Sequence, residues 1–491
     1  MSHVTDARKK IVLFLPNMRW LGKQPRFALP YGLAILTTLL KEEYHVLGLD
    51  ANGEDLSEEA TQERLRILQP DAVLISGLSS VEYPPQIHYS MELIKAVVPQ
   101  TITVLGGVYP TTLGEQAIRD RNIDYIFIGH AEERVVPFLQ LVFAHDRERL
   151  LELPGIGFND PEQGIILNPV KTYIGDVKVM VKPDYTLFDL TPYLAEETHI
   201  GNLTTRAPIR TASILASYGC PFNCSFCASR TIRGRKVAFR PLEDVFEEID
   251  YLVREYGVNR IHFHDDNLLV KPSRAKRICQ TFMEQRWGPL PWKTSGLFIG
   301  LLTEEILRMF AKAGCDEIRM AVETGSPRVM KELVRKPITL EPIPGLVRIC
   351  KEVGIFVRGL FVIGFPGETW EEIRQTFRFA EACDFDLVHF LVATPLPKTD
   401  LYQMALESHS LAEDFDFSEQ FNGWGEGFIT TDEFTPQELM TLRAYEWDRI
   451  NFSTPEKTAK IAKVYNMTLE ELLEHRRATR RSIGSLKKSG D

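Results

Sequence analysis

Three cysteines lie within eight residues of the 491-residue chain, at Cys220, Cys224 and Cys227. Thiolates are typical ligands of iron-sulfur clusters, and a cubane cluster normally takes four of them. Three thiolates would leave one iron with an open position, which turns an electron-transfer centre into a catalytic one. The alternative is a zinc loop or three buried thiols, but zinc usually takes four ligands. The sequence has no further Cys or His nearby at ligand spacing, so it favours an iron-sulfur cluster.

The other four cysteines are isolated in the sequence. They are Cys279, Cys315, Cys350 and Cys383, and three of them fall in helical patterns. A free cysteine in such a position behaves as a small hydrophobic residue, so we predict that these four belong to the core. Seven cysteines are too few for a disulfide scaffold in a chain of this size. We therefore expect a reducing compartment, the cytoplasm.

Two histidines, His262 and His264, are two residues apart on a predicted strand and therefore face the same side of it. Such a pair could bind a metal ion. It could also consist of inward-facing polar residues that order a cofactor or substrate, and this second interpretation is the one we favour.

These residues occur in the part of the chain, 206–400, in which apolar runs alternate with amphipathic helical patterns. Parallel strands joined by helices form right-handed units, so six repeats predict a partial (β/α)6 barrel. Its active site is expected at the carboxyl ends of the strands, and the cysteine loop directly follows the first strand. The predicted strands are 212–217, 260–264, 293–297, 317–323, 356–363 and 388–392.

The front of the chain, 1–150, shows a similar alternation and predicts a flavodoxin-like (Rossmann-type) α/β domain. Residues 151–205 are rich in Pro, Gly and Asp and predict a connector with one hairpin. The region 401–491 is predicted to be mainly helical. The strands predicted for the front domain are 11–15, 45–49, 72–76, 101–105 and 125–128.

The CxxxCxxC spacing at a strand-to-loop junction resembles that of the radical S-adenosylmethionine superfamily. The resemblance implies that the open iron binds the amino and carboxylate groups of S-adenosylmethionine. It also implies an aromatic ring beside the adenine, acidic groups near the ammonium, a motif that contacts the ribose and a glycine-rich bend near the adenine. The residues in these positions are Phe226, Asp265, Asp266, Glu323, Ser326 and Gly364.

Loops after the third, fourth and fifth strands of the front domain resemble those of cobalamin-binding domains. They carry a Ser-x-Leu element, a Gly-Gly element and a Gly-x-x-Glu turn. The resemblance implies that a hydroxyl meets the base of the nucleotide tail and that the glycines let the tail pass close to the backbone. A related fold that no longer binds a cofactor is the alternative. The implied cobalamin-binding residues are Ser76, Leu78, Ser79, Gly106, Gly107, Thr111, Gly129 and Glu132.

The loop after the first strand contains no histidine between residues 17 and 30. Cobalamin domains of the methionine synthase type place an axial histidine in this loop. Any cobalamin is therefore expected to bind with its own base detached and without a protein imidazole on cobalt.

Nearly the whole chain resembles the cobalamin-dependent (class B) radical S-adenosylmethionine methylases, in particular those acting on phosphonates and phosphinates. The stretches 262–267, 331–337 and 358–364 carry this similarity. The resemblance implies transfer of a methyl group from methylcobalamin to an unactivated carbon or a phosphinate phosphorus, through a 5'-deoxyadenosyl radical. A cyclase or ring-rearranging enzyme without methyl transfer is the alternative. A methylthiotransferase is disfavoured because residues 1–219 lack a cysteine for a second cluster, and a cobalamin sensor would not need an open iron.

The composition indicates which partners to expect. The net charge of -10 provides no general attraction for nucleic acid. No run approaches the roughly 18 apolar residues that predict a membrane span. We therefore expect neither nucleic acid nor a membrane as a partner. The resemblance implies a small-molecule substrate and an electron donor such as flavodoxin or ferredoxin, while the substrate itself is not identified by the sequence.

Overall fold

The fold is taken from a computed structural model. The structure describes residues 8–22, 29–77, 84–177, 180–200, 203–413, 415, 426–464, 467–474 and 476–477, with the backbone alone for 195–200 and 203–208. The described residues form two compact units. The first takes those within Met1–Leu194 and Ser229–Glu248, and the second those within Ala195–Ala228, Ile249–Phe415 and Asn422–Asp491. No described helix is both long and apolar enough to span a membrane.

The first unit is built on one seven-stranded sheet. Its strands are β1 (Lys10–Leu15), β2 (His45–Asp50), β3 (Ala72–Gly77), β4 (Ile102–Gly107), β5 (Tyr125–Phe127), β6 (Ile156–Asp160) and β7 (Gly164–Leu167). They lie in the order β2-β1-β3-β4-β5-β6-β7. The first five strands are parallel, in the 2-1-3-4-5 order of a flavodoxin-like fold, which confirms the fold predicted from the sequence. Strands β6 and β7 extend this sheet as an antiparallel hairpin, within the segment where the sequence predicts one.

Helices bury the parallel strands of the first unit on both faces. Four successive residues of β1, from Ile11 to Phe14, are fully buried, which explains the unbroken apolar run in the sequence. The helices of this unit are α1 (Tyr31–Leu40), α2 (Glu58–Leu68), α3 (Pro84–Val97), α4 (Val108–Thr112), α5 (Gly114–Ile118), α6 (Val135–Phe143), α7 (Arg147–Glu152) and α8 (Ser229–Arg233), with short 3-10 helices at Met18–Leu21, Ile174–Asp176 and Thr191–Tyr193.

The second unit also contains a seven-stranded sheet. Its strands are β8 (Ala195–Ile200), β9 (Leu203–Ile214), β12 (Arg260–Phe263), β13 (Trp292–Leu297), β14 (Cys315–Glu323), β15 (Phe356–Ile363) and β16 (Leu387–Val392), and the short strands β10 (Ser217–Tyr218) and β11 (Ala238–Phe239) occur between β9 and β12 in the chain. The sheet order is β16-β15-β14-β13-β12-β9-β8. Strand β8 is antiparallel to β9, and the other six strands are parallel in sequential order, as in a partial barrel. The six predicted strands are therefore present.

Aromatic side chains join this sheet to the helices that cover its outer face. Phe263 of β12 and Trp292 of β13 both contact Phe282, and Trp292 also contacts Phe310. The helices after β11 are α9 (Leu242–Tyr256), α10 (Pro272–Met283), α11 (Glu304–Lys312), α12 (Ile343–Glu352) and α13 (Trp370–Ala382), with a 3-10 helix at Ile299–Leu301 and a π-helix at Val329–Val334. Helix α13 begins with the predicted capping box of Thr369 and Glu372.

The C-terminal region is mainly helical in its described residues, as predicted. Its helices are α14 (Asp400–Glu407), α15 (Pro436–Asn451) and α16 (Pro455–Val464). The amide side chain of Asn451 exchanges two hydrogen bonds with the backbone of Val388 in β16, at 2.7 and 3.0 Å. A helix-borne amide thus satisfies backbone groups of the strand that ends the sheet.

Candidate active site

The cysteine loop follows β9, the first parallel strand of the second unit, and the short strand β10 that comes after it. The chain leaves β10 at Tyr218 and turns at Gly219, which has a φ of 90° that a residue with a side chain rarely adopts. Cys220 and Cys224 are partly buried, and Cys227 is exposed. The amide of Cys227 donates to the carbonyl of Cys224 at 3.1 Å, so the last part of the loop is a tight turn.

Two carboxylates after β12 hold the start of this loop. Asp265 accepts hydrogen bonds from the Ser217 hydroxyl at 2.5 Å and from the Ala216 amide at 3.1 Å. Asp266 accepts one from the Gly219 amide at 2.8 Å. Burial raises the pKa of Asp265 to about 6. Both predicted site residues therefore position the backbone that leads into Cys220, and their contact with the ammonium of the cofactor remains a prediction.

The π-helix anchors the middle of the loop. Ser225 donates its hydroxyl to the carbonyl of Leu333 at 2.5 Å and its amide to the carbonyl of Val334 at 3.0 Å. The Ser225 carbonyl accepts from the amide of Leu401 at 2.9 Å. A π-helix is rare and is frequent at functional sites. Here it connects the end of β14 to the loop that carries the cysteines.

A buried ion pair lies beside the thiols. Lys336 contacts Glu323 at 2.7 Å, and their side chains are 5% and 8% exposed. Lys336 also lies 5.9 Å from the ring of Phe298, which stacks on Phe222 of the cysteine loop at 3.6 Å. Burial raises the pKa of Cys224 to about 12, and the charge of Lys336 opposes this rise. Glu323 was predicted as a site residue from the sequence, whereas Lys336 was not. The only sequence signal for Lys336 was its position in the stretch 331–337.

The remaining residues predicted to contact S-adenosylmethionine lie in turns after the strands. Phe226 packs edge-to-face on Phe365, with 6.1 Å between ring centroids. Ser326 is buried, and its hydroxyl accepts from the amide of Val329, the first residue of the π-helix, at 3.3 Å. Gly364 has a φ of 89°, and a Cβ there would lie 2.6 Å from Leu439. Ser326 and Gly364 therefore have structural roles that do not involve the cofactor. Their contacts with the cofactor remain predictions.

The arrangement of the thiols bears on the zinc alternative. Among the described residues, no three His, Cys, Asp or Glu side chains are placed to hold a single metal ion. In an iron-sulfur cluster each thiolate binds a different iron, so the thiols need not converge on one point. The other four cysteines are buried, as predicted. The loop thus supplies three thiols, the number that leaves one iron of a cubane cluster without a protein ligand.

In the first unit, the ends of β3 and β4 lie beside the turns that follow β4 and β5. Gly107 has φ 91° and ψ -158°, and a Cβ there would lie 2.5 Å from the carbonyl of Gly77 and 3.0 Å from the Ser76 hydroxyl. The Thr111 hydroxyl donates to the Gly107 carbonyl at 2.6 Å and accepts from the Gly129 amide at 2.9 Å. Ser76, Gly106, Gly107, Thr111 and Gly129 therefore form one cradle, whereas Leu78 and Ser79 lie outside the described residues.

Buried polar atoms without partners lie on the β5 side of this cradle. Within the described part of the chain, neither ring nitrogen of His130 nor Oε2 of Glu132 has a hydrogen-bond partner. Burial lowers the pKa of His130 to about 4 and raises that of Glu132. Arg134 fixes the turn by donating to the carbonyls of Pro154 and Ile128 at 2.7 and 2.9 Å. Unsatisfied buried groups are rare in proteins, so this turn fits a polar ligand such as a nucleotide tail.

Comparison with known proteins agrees with both sites. Residues 214–380 match the Radical SAM superfamily, and residues 25–139 match the B12 binding domain. An uncharacterized methyltransferase from Pyrococcus horikoshii is 31% identical over 385 residues, which are 78% of this chain and 79% of that protein. A cytidylyl-2-hydroxyethylphosphonate methyltransferase from Streptomyces wedmorensis is 26% identical over 443 residues, which are 81% of this chain and 82% of that protein.

A solved structure shows the same fold. It is the radical S-adenosylmethionine methyltransferase TsrM from Kitasatospora setae with cobalamin and a 4Fe-4S cluster bound, with a TM-score of 0.67 and 19% identity. The match covers 85% of this chain and 78% of that one. The chain therefore belongs to the radical S-adenosylmethionine superfamily, within its cobalamin-dependent methyltransferases, and its cofactors are a 4Fe-4S cluster, S-adenosylmethionine and cobalamin.

Proposed function

We propose that the chain transfers a methyl group to an unactivated carbon or a phosphinate phosphorus of a small substrate. The observation that carries the proposal is the three-thiol loop, fixed at the carboxyl ends of parallel strands by Asp265 and Ser225. When bound, the cluster and S-adenosylmethionine supply a radical that removes a substrate hydrogen, and cobalamin supplies the methyl group. The glycine cradle of the first unit, at Gly106 and Gly107, supports the cobalamin part of this reaction.

In this proposal the second unit holds the cluster and S-adenosylmethionine. Cys220, Cys224 and Cys227 are the cluster ligands, and Asp265 keeps the approach to Cys220 in place. Glu323 uses one carboxylate oxygen, Oε1, for Lys336. Its other oxygen is the one we assign to the ribose. The remaining contacts assigned to S-adenosylmethionine are Phe226, Asp266, Ser326 and Gly364.

The first unit holds cobalamin in this proposal, through residues of 1–150. Gly106 and Gly107 let the nucleotide tail lie against backbone, and Thr111 and Gly129 keep the neighbouring loops at that spacing. Glu132 offers its unpartnered oxygen to the tail. Since residues 17–30 contain no histidine, we assign no protein imidazole to cobalt.

A labelled methyl group tests the reaction. Reconstituted enzyme is incubated with candidate substrates and S-adenosylmethionine that carries a deuterated methyl group, and the product is examined by mass spectrometry. We expect the product to gain one labelled methyl in place of a hydrogen. A product that is oxidised, cyclised or rearranged without the label would favour the alternative, a cyclase or ring-rearranging enzyme.

The cluster must be reduced before each radical is formed, which requires an electron donor. We propose flavodoxin or ferredoxin in this role and a cytoplasmic location, where thiols such as the partly buried Cys220 and Cys224 stay reduced. Reduced flavodoxin should support cleavage of S-adenosylmethionine by the purified enzyme. Cleavage with dithionite but not with flavodoxin or ferredoxin would contradict this assignment of the donor.

A further inference from the structure

One face of the second sheet is partly open to solvent, although its strands are buried on the other face. Partly exposed or exposed residues occur on β13, β14, β15 and β16 and directly after β12, while residues on the other face, such as Phe263, Ile318 and Phe390, are buried. The exposed residues define the inner face, opposite the helix-covered outer face. The described residues that open on it are His264, Ser295, Arg319, Leu360, His389 and Leu391.

Below these residues the inner face is strongly charged. Glu317 contacts Arg358 at 2.9 Å, and Arg260 contacts Asp316 at 2.6 Å. Lys293 is buried on the same face, beside Glu317 in the strand register. With Arg319 the cluster has four cations, Arg260, Lys293, Arg319 and Arg358, against the two carboxylates Asp316 and Glu317.

Two imidazoles of this face, those of His262 and His389, have lowered pKa values and are neutral. Burial lowers the pKa of His389 to about 3, assisted by the charges of Arg358 and Arg319. Burial also lowers the pKa of His262 well below its usual value. The Ser295 hydroxyl lies 3.1 Å from Nε2 of His262 and 3.3 Å from Nδ1 of His264, so it bridges the two rings. The inner face therefore keeps an excess of positive charge at neutral pH.

Arg319 is the cation of this cluster that reaches the open part of the face. Its Nε donates to Glu317 at 3.3 Å, and among the described residues its guanidinium makes no other hydrogen bond. Its side chain is 32% exposed. The neighbours Gly296 and Ala321 are small and partly exposed. The two terminal nitrogens of a guanidinium match two oxygens of a phosphonate, phosphate or carboxylate.

We propose that the substrate carries an oxyanionic group and that Arg319 binds this group on the inner face. The proposal rests on the proposed function, because it places the substrate within the unit that carries the cysteine loop. Ser295 and His264 provide polar contacts beside Arg319, and exposed Leu391, on the same face, provides apolar surface for an uncharged part of the substrate.

Binding of small probes tests this assignment without turnover. Methylphosphonate, acetate and the neutral dimethyl ester of methylphosphonate are titrated into the reconstituted enzyme by isothermal titration calorimetry. The variants are Arg319→Gln, Arg319→Lys and, as a matched control, Arg308→Gln, which removes an exposed cation from α11. Circular dichroism confirms that each variant is folded. We expect the wild type and the control to bind methylphosphonate, Arg319→Gln to bind it at least about tenfold more weakly, and Arg319→Lys to lie between.

Each outcome decides the proposal. Binding of acetate in place of methylphosphonate, lost in Arg319→Gln, would support a carboxylate substrate at the same site. The proposal is overturned if the wild type binds neither anion, if the neutral ester binds as tightly, or if Arg319→Gln binds like the wild type. Should Arg319→Gln not fold, an Arg319→Lys variant that binds like the Arg308→Gln control overturns it. Arg319-dependent binding without any labelled methyl transfer would instead refute the proposed function alone.

Discussion

Two adjacent glycines at the end of β4 permit a test of cobalamin binding that distinguishes a loss of ligand affinity from a loss of protein stability. A Cβ added at Gly106 would meet nothing closer than Phe127, at 3.8 Å, and the carbonyl of Ile75, at 4.0 Å. A Cβ at Gly107 would lie 2.5 Å from the carbonyl of Gly77. The protein therefore has room for alanine at the first position but not at the second.

The expected energies differ accordingly. Gly107 has φ 91° and ψ -158°, a region adopted almost only by glycine. Occupying it with another residue costs about 1–3 kcal/mol before the clash with Gly77 is counted. Gly106→Ala should change the free energy of unfolding by less than about 1 kcal/mol, since it adds only ordinary contacts. If the nucleotide tail lies against the backbone at Gly106, the added methyl should weaken cobalamin binding at least about tenfold, or about 1.4 kcal/mol.

The assay uses three measurements on each variant. Thermal unfolding of the cofactor-free protein reports stability, absorbance titration with hydroxocobalamin reports affinity, and iron content reports the state of the cluster. We expect Gly106→Ala to lose cobalamin affinity alone, and Gly107→Ala to lose stability as well. Both should keep their iron. Wild-type affinity in a folded Gly106→Ala protein would refute the close approach of the tail to this backbone.

Three further predictions concern the cluster, the bend after β15 and the cobalt. Anaerobically purified protein should contain about four irons per chain, and replacing Cys220, Cys224 or Cys227 by Ala should abolish the cluster and cofactor cleavage; zinc in place of iron would contradict this. Glu368, whose pKa burial raises to about 8, accepts from the amides of Gly364 and Phe365. The folded pKa lies above the unfolded value of about 4.5, so the free energy of unfolding falls as pH rises through this window. At pH 7 and above, the free energy of unfolding of Glu368→Gln should therefore exceed that of the wild type by at least about 1 kcal/mol. Equal pH profiles of the two proteins in denaturant titrations would refute this prediction. The cob(II)alamin form should lack nitrogen superhyperfine splitting in paramagnetic resonance, and a triplet from one nitrogen would disprove the absence of an axial imidazole.

The sequence predicted the strands well because buried parallel strands form continuous apolar runs. All eleven predicted strands are present, and the cysteine loop follows the first strand of the second unit's parallel set. The hydrogen-bond partners of loop residues were harder to predict. The sequence assigned Asp265 to the cofactor, which remains a prediction, and did not reveal that its two oxygens accept from Ser217 and Ala216. A carboxylate after a strand can face a ligand or a neighbouring loop, and spacing along the chain does not distinguish the two.

Other site residues depend on contacts between distant parts of the chain. Lys336 lies 13 residues beyond Glu323, across a π-helix that helical periodicity cannot reveal. The orphaned imidazole of His130 becomes notable only because its surroundings are buried. Such features depend on desolvation, which is set by packing from segments remote in sequence.

The sequence contains a pattern that predicts the charged inner face. This pattern is not seen when strands are identified by their apolar runs alone. His262 and His264, Lys293 and Ser295, and Glu317 and Arg319 each occupy alternate positions of a strand, while the positions between them are apolar or small. A period of two with polar groups on one side is typical of a strand that faces water or a ligand. Six parallel strands that are covered by helices on their outer face have only their inner face left for such groups. Placing ionised side chains there costs desolvation energy that a purely structural sheet would avoid with apolar residues. Charged side chains are nevertheless present on the sheet that carries the cysteine loop. Their presence is the physical reason to expect an anionic substrate.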